Sequence, residues 1–317
     1  MITSKRRSFI TGIKSTTLSN KEKKFLIKYK PWGIILFSRN IKSINQTKKL
    51  TTIIRKIFKD KNYPILIDQE GGRVNRLKKF FNTDLFTGEF FGKLYKNDFK
   101  KFKKFYEIFT NRTSDMLKLI GANVNTVPVL DIRVRGASKI IGDRAFSKDP
   151  KLVSKLGDIC IKNYHNNNIG TVIKHIPGHG LAKVDSHKLT PIVKEKFNKL
   201  KTNDFSTFIK KKSFLAMTAH IIFKDIDPIN TVTHSKKIIK IIRNDIKFKN
   251  ILMSDDISMK GLKYSIKQNT LKAFDAGCDL VLHCSGNLNE MLVVADNSPH
   301  LSKFIIKKTS QFYKFLS

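Results

Sequence analysis

Short apolar, β-branched runs alternate along the chain with longer amphipathic or charged segments. The runs occupy residues 9–13, 33–37, 64–68, 122–129, 170–175, 214–218, 251–254 and 279–283. They are apolar at successive positions rather than at every second one, as strands covered on both faces are. The intervening segments predict helices over residues 44–58, 99–119, 150–166, 204–211, 235–246 and 264–276, and residues 301–316 predict one more. In the first of these, Leu50, Ile53, Ile54, Ile57 and Phe58 recur at steps of three and four, the spacing of one helix face. Asn45 or Thr47 is the expected cap.

Eight strand-and-helix units predict an α/β fold, a (β/α)8 TIM barrel forming a single domain over residues 1–317. The alternative is an open doubly wound sheet. That fold would want a glycine-rich dinucleotide turn after the first strand, where the sequence has GIKSTTLS. No linker, low-complexity tract or short-period repeat marks a second domain.

In a barrel, function gathers at the carboxyl ends of the strands. The polar residues fall there. Arg39 and Asn40 follow the second run, Asp68, Gln69 and Glu70 the third, and Asp131 the fourth. Lys174 and His175 end the fifth, His220 follows the sixth, and Asp255 and Asp256 follow the seventh. The opposite ends carry little of this kind, and that asymmetry argues for a site more strongly than any one residue does.

Composition narrows the class. Three cysteines, Cys160, Cys278 and Cys284, show no paired spacing, which argues against a disulfide framework and for a reducing compartment. No second Cys or His pair stands near Cys278 and Cys284 to complete a zinc site. The basic start MITSKRRSFITGI is followed by an apolar run too short for a signal peptide. No stretch approaches the roughly 18 apolar residues of a membrane span. A cytoplasmic protein without membrane partners is expected. The charge is unusual: 62 Lys plus Arg against 25 Asp plus Glu, formally +37. Lysine is scattered along the whole chain, and no basic stripe interleaved with aromatics appears, so nucleic acid is not the expected partner. Such a field favours the arrival of an anionic substrate.

Five motifs carry candidate chemistry. LIDQEGGRVNRL, residues 66–77, ends a run in a charged loop, with Asp68 either accepting hydrogen bonds from ligand hydroxyls or bracing Arg73 and Arg76. VIKHIPGHGLAKVDSH, residues 172–187, ends a strand at Lys174 and His175 and enters a turn-rich loop. There Asp185 precedes His187 by two residues, a pair suited to holding one imidazole tautomer and moving a proton. A metal held by His175, His179 and His187 is the competing reading of the same loop. ILMSDDISMKG, residues 251–261, sets Asp255 toward the barrel mouth and leaves Asp256 to brace it or cap the next helix. A strand-end carboxylate beside a separate proton shuttle is what covalent glycosyl transfer needs. Finally, Arg144 sits in the loop IGDRAFSKDP, and His220 in MTAHIIFKDIDP reads as a buried, hydrogen-bonded histidine.

These segments, together with ILFSRN, VPVLDI and AGCDLVLHC, resemble the glycoside hydrolases of family three, and within it the bacterial cytoplasmic β-N-acetylhexosaminidases of peptidoglycan recycling. The resemblance runs in order from about Gly33 to Cys284, and the KH-x-PGHG-x4-DSH run is its most specific part. It implies a single barrel that removes terminal β-linked N-acetylglucosamine with retention, needing no cofactor or metal. The implied nucleophile is Asp255 and the acid/base is His187, paired with Asp185. The implied sugar contacts are Asp68, Arg76, Arg144, Lys174 and His175. The implied substrate is a small saccharide, a muropeptide of N-acetylglucosamine on anhydro-N-acetylmuramic acid with or without peptide, acted on by a monomer. A β-glucosidase or a glycoside phosphorylase of the same family is the alternative.

Overall fold

The computed structural model describes residues 5–186 and 188–317. His187, the expected acid/base, lies outside the described residues.

Eight parallel strands form the frame: β1 (Arg7–Thr11), β2 (Pro31–Leu36), β3 (Ile65–Ile67), β4 (Val124–Asn125), β5 (Gly170–Ile176), β6 (Leu215–Thr218), β7 (Ile251–Asp256) and β8 (Leu280–His283). Each pairs with its neighbours in sequence, and β1 pairs with β8, so the sheet closes on itself. This is the expected (β/α)8 barrel.

The apolar runs serve two layers at once, because successive side chains on a strand point to opposite faces. Ile10, Leu66, Val172, Leu215, Met217, Ile251, Met253, Leu280 and Leu282 pack inside the barrel. Their neighbours Phe9, Ile65, Ile67, Ile173, Ala216, Leu252 and Val281 pack outward against the helices.

Those helices are α1 (Asn20–Tyr29), α2 (Ile44–Phe58), α3 (Gly88–Asn97), α4 (Phe99–Ile120), α5 (Pro150–Asn166), α6 (Phe197–Thr202), α7 (Lys236–Asn244), α8 (Ile266–Ala276), α9 (Leu288–Asp296) and α10 (Lys303–Leu316). The predicted helices at α2 and α5 have their expected bounds, and α4, α7, α8 and α10 differ by a few residues. The cap of α2 is Ser43 rather than Asn45 or Thr47. Its hydroxyl accepts from the Gln46 N–H while the Gln46 side chain returns to the Ser43 backbone. The helix expected over residues 204–211 is instead a single 3-10 turn, Phe205–Phe208, preceded by α6.

Helix α10 closes the amino-terminal end of the barrel, where Trp32 Nε1 donates to Thr309 Oγ1 at 2.9 Å. Beside it Asp60 accepts from both Arg6 and Tyr313 at 2.6 Å. With that end filled, the carboxyl ends of the strands are left to build a site. No helix among the described residues is long and apolar enough to cross a membrane.

Candidate active site

The segment after β3 folds back on itself. Residues Gln69–Gly71 pair antiparallel with Val74–Asn75. The turn between them uses Gly71 and Gly72 at φ of +102° and +55°, the region side chains resist. This hairpin returns Arg76 over the strand end, where its Nη2 stands 3.0 Å from Asp68 Oδ2. Gln69, buried, receives the backbone N–H groups of Arg76 and Leu77 and so fixes the turn.

Asp68 and Glu70, two residues apart on extended chain, share one side of the mouth. Lys174, from β5, reaches both: its Nζ lies 2.6 Å from Glu70 Oε1 and 3.4 Å from Asp68 Oδ1. It also donates to Thr126 Oγ1 at 2.9 Å, and that hydroxyl in turn bonds Asp68. Arg144 meets Glu70 in a fork, Nε to Oε2 and Nη2 to Oε1, both at 2.8 Å. Burial by itself would raise the Asp68 carboxyl, but Lys174, Arg76 and the Thr126 hydroxyl outweigh it and hold the group well below the ordinary carboxylate range. For Glu70 the same opposition, won by Arg144 and Lys174, leaves a value of about 2. Both carboxylates are therefore charged at any physiological pH.

His175 follows Lys174 across a cis peptide. Its Nδ1 is 2.7 Å from Asp131 Oδ2, and the buried Asp131 also accepts the backbone N–H of His179 at 2.7 Å. Burial would raise the Asp131 carboxyl, yet the two histidines and the backbone bond pull it below its usual value. The His179 ring is pushed down to about 4 by burial first and by His175 second, so it is neutral near pH 7, and its Nε2 is 3.1 Å from Ser186 Oγ. Beyond Ser186, the carbonyl of Asp185 receives the N–H groups of Lys188 and Leu189 at 2.9 and 3.0 Å.

At the end of β7 the two aspartates divide. Asp256 Oδ1 accepts from Ser258 N at 3.0 Å and Cys284 N at 3.2 Å, and its carbonyl meets His220 Nε2 at 3.0 Å. It braces the loop, and α8 takes its cap from Ser265 instead. His220 is buried, with Nδ1 on Thr233, as the sequence led one to expect. Asp255 lines the mouth.

These groups face one hollow of about 310 Å3, lined among others by Phe37, Asp68, Glu70, Arg76, Arg144, Lys174, His175, Asp255 and Met259. That is within the range of small-molecule sites. Six of the eight expected site residues meet there: Asp68, Arg76, Arg144, Lys174, His175 and Asp255. Asp185, in the loop after β5, is not among the residues that line it, and His187 lies outside the described residues.

Other expectations shift. Arg73 does not brace Asp68. It pairs with Asp143 and donates to the carbonyls of Lys139, Ile140 and Ile141. Arg39 Nε and Asn40 Nδ2 donate to carbonyls of the loop after β1, Arg39 Nη2 donates to the carbonyl of Cys284, and Asn40 Oδ1 accepts the Phe37 N–H. Sequence reasoning gave no role to Glu70 or Asp131. The two-residue spacing from Asp68 was the signal for Glu70, and the strand-end position in VPVLDI was the signal for Asp131. Among the described residues, no cluster of three or more His, Cys, Asp or Glu side chains has metal-binding geometry.

Three comparisons bear on this arrangement. The glycosyl hydrolase family 3 N-terminal domain matches residues 8–306. The chain is 32% identical over 281 residues to a beta-hexosaminidase of Hydrogenovibrio crunogenus, spanning 87% of this chain and 78% of that one. A beta-hexosaminidase of Neisseria meningitidis is 32% identical over 286 residues, with coverage of 88% and 78%. The crystal structure of native NagZ from Neisseria gonorrhoeae superposes with a TM-score of 0.82 at 25% identity, covering 98% of this chain and 96% of that one. A closed eight-stranded barrel with carboxylates, lysine, arginines and histidine converging at its carboxyl end, and a family match across nearly all of its length, lead to one conclusion: the chain belongs to glycosyl hydrolase family 3.

Proposed function

We propose that the chain is a retaining exo-β-N-acetylglucosaminidase, a β-N-acetylhexosaminidase acting on terminal non-reducing β-linked N-acetylglucosamine. The observation that carries this reading is that the Asp255 carboxylate and the ionised cradle of Asp68, Glu70, Arg76, Arg144 and Lys174 line the same hollow. The beta-hexosaminidase relatives support it.

In this reading Asp68, Lys174 and Arg144 engage the sugar hydroxyls and the N-acetyl group. Arg76 and Glu70 hold them in place, and His175 is aimed by Asp131. Asp255 attacks the anomeric carbon while His187, oriented by Asp185, gives its proton to the departing oxygen. The resulting glycosyl ester on Asp255 is then opened by a water whose proton His187 takes, so the configuration is retained. Histidine replaces the second carboxylate of the common retaining pair.

The aglycone we propose is the anhydro-N-acetylmuramic acid of a muropeptide, with or without its peptide, in the cytoplasm. Its carboxylates suit a chain of formal charge +37, and the free cysteines Cys160, Cys278 and Cys284 suit a reducing compartment.

The test is incubation with an aryl N-acetyl-β-glucosaminide, then trapping with a fluorinated N-acetylglucosaminyl fluoride and mapping of the label by mass spectrometry. The expected result is aryl alcohol release and a label on Asp255. A label elsewhere, or preferential cleavage of aryl glucoside, would overturn the proposal. Phosphate-dependent turnover would instead mark a phosphorylase.

A further inference from the structure

The segment that carries the DSH motif is tied on both sides of position 187 to one residue of another loop. Ser186 O accepts the backbone N–H of Gly261 at 2.8 Å, and Thr190 Oγ1 donates to the carbonyl of Gly261 at 2.8 Å. Gly261 ends the turn that leaves β7, six residues after Asp255. A third tie, Ser186 Oγ to His179 Nε2, joins the same segment to the floor that Asp131 builds. Both Ser186 and His179 are buried, so water competes poorly for these bonds.

Glycine at 261 answers a need for close approach. It is absent from the glycines with positive φ, so the backbone there suits any residue. A Cβ would stand 2.6 Å from Ser186 O, closer than carbon and oxygen can come without one of the two loops moving. A side chain at this position would therefore prise the segment off its seat while leaving β7 alone.

We infer that Gly261 is a positioning residue, its backbone clamped by Ser186 and Thr190 so that the loop carrying the proton-transfer pair is registered against the loop carrying Asp255. The inference rests on the roles proposed above for Asp255 and His187. Misplacing an acid/base group by a fraction of an ångström penalises only the steps that move a proton.

The experiment compares Gly261→Ala and Thr190→Val with the wild type on two substrates, the 2,4-dinitrophenyl N-acetyl-β-glucosaminide and N,N′-diacetylchitobiose. Dinitrophenolate departs without a proton, whereas the sugar alcohol of chitobiose does not. For Gly261→Ala we expect kcat/KM on chitobiose to fall about 10²-fold and that on the dinitrophenyl substrate to stay within about threefold. Sodium azide should raise kcat on the dinitrophenyl substrate. As an anion it displaces the Asp255 carboxylate from the anomeric carbon without needing a base, and leaves the β-glycosyl azide as product. Thr190→Val, which removes one bond and adds no bulk, should show the same selectivity at smaller amplitude, and it decides the matter if Gly261→Ala does not fold. Equal losses on both substrates, or no loss on either, would overturn the inference. A wild type inactive on both would instead sink the function on which it rests, a control read before any variant.

Discussion

Asp131 Oδ2 lies 2.7 Å from His175 Nδ1 while its Oδ1 takes the His179 N–H at the same distance, so one buried carboxylate fixes both a ring that lines the hollow at the barrel mouth and the loop that follows it. An amide can keep both contacts only by donating its NH2 to His175 Nδ1, which forces the proton of that ring onto Nε2. Asp131→Asn keeps the shape but turns one acceptor into a donor, facing either a ring nitrogen or a backbone N–H. Loss of charge-assisted bonds of this kind costs about 1.5–3 kcal/mol. We expect Asp131→Asn to lower the melting temperature and to cut kcat/KM on an aryl N-acetylglucosaminide by at least tenfold. Wild-type values of both would show that the pair is idle.

Arg144 and Glu70 form a two-bond fork, with bonds of 2.8 Å each. Lysine keeps the charge but cannot reproduce the fork. Arg144→Lys is expected to raise KM about tenfold and to change kcat less, the pattern of lost ground-state binding. A variant with unchanged KM and depressed kcat would move Arg144 from sugar binding to transition-state stabilisation.

The two proposed catalytic groups separate by leaving group. His187→Ala should slow hydrolysis of poorly activated glycosides by about 10²–10⁴ while sparing the first step on activated aryl glycosides. Asp255→Ala should abolish turnover of both. Steady-state rates across a series of aryl leaving groups check this, and residual wild-type activity in Asp255→Ala refutes the nucleophile.

Asp204 offers a readout in stability. It packs beneath Gly178 in the loop after β5, its Oδ1 is buried without a partner among the described residues, and burial first, then Asp131, pushes its carboxyl up to about 7. In the unfolded chain an aspartate titrates near 4. Between those values the folded state binds the extra proton, so the contribution of this group to stability falls as pH rises from about 4 to 7 and stays low above. Asp204→Asn removes that loss. It should raise the melting temperature by several degrees at pH 8 and change it little at pH 4. Equal shifts at the two pH values would contradict the sign.

Much of the barrel was legible because its strands are covered on both sides and so are written as unbroken apolar runs. The first run was placed two residues late, at 9–13 against Arg7–Thr11, because its basic start hides a strand whose Arg7 extends to the carbonyls of Ala295 and Ser298. Helix α1, NKEKKFLIKY, escaped notice because lysines outnumber the Phe25, Leu26 and Tyr29 that it buries. The 3-10 turn at Phe205–Phe208 read as a helix because a buried aromatic pair four residues or fewer apart satisfies either geometry. In the site, Asp68, Lys174 and Asp255 stood out as strand-end residues. The Glu70–Arg144 fork spans 74 positions and leaves no local trace in the sequence.

The cradle is also close to electrically balanced before any sugar enters, since Asp68 and Glu70 already answer Arg76, Arg144 and Lys174. An incoming pyranose finds dipoles that are set rather than dipoles that must turn. The outlay for reorientation has been met during folding, and what the mouth then discriminates is the stereochemistry of each hydroxyl. Affinity for the ring should accordingly be nearly indifferent to ionic strength, even in a molecule this cationic.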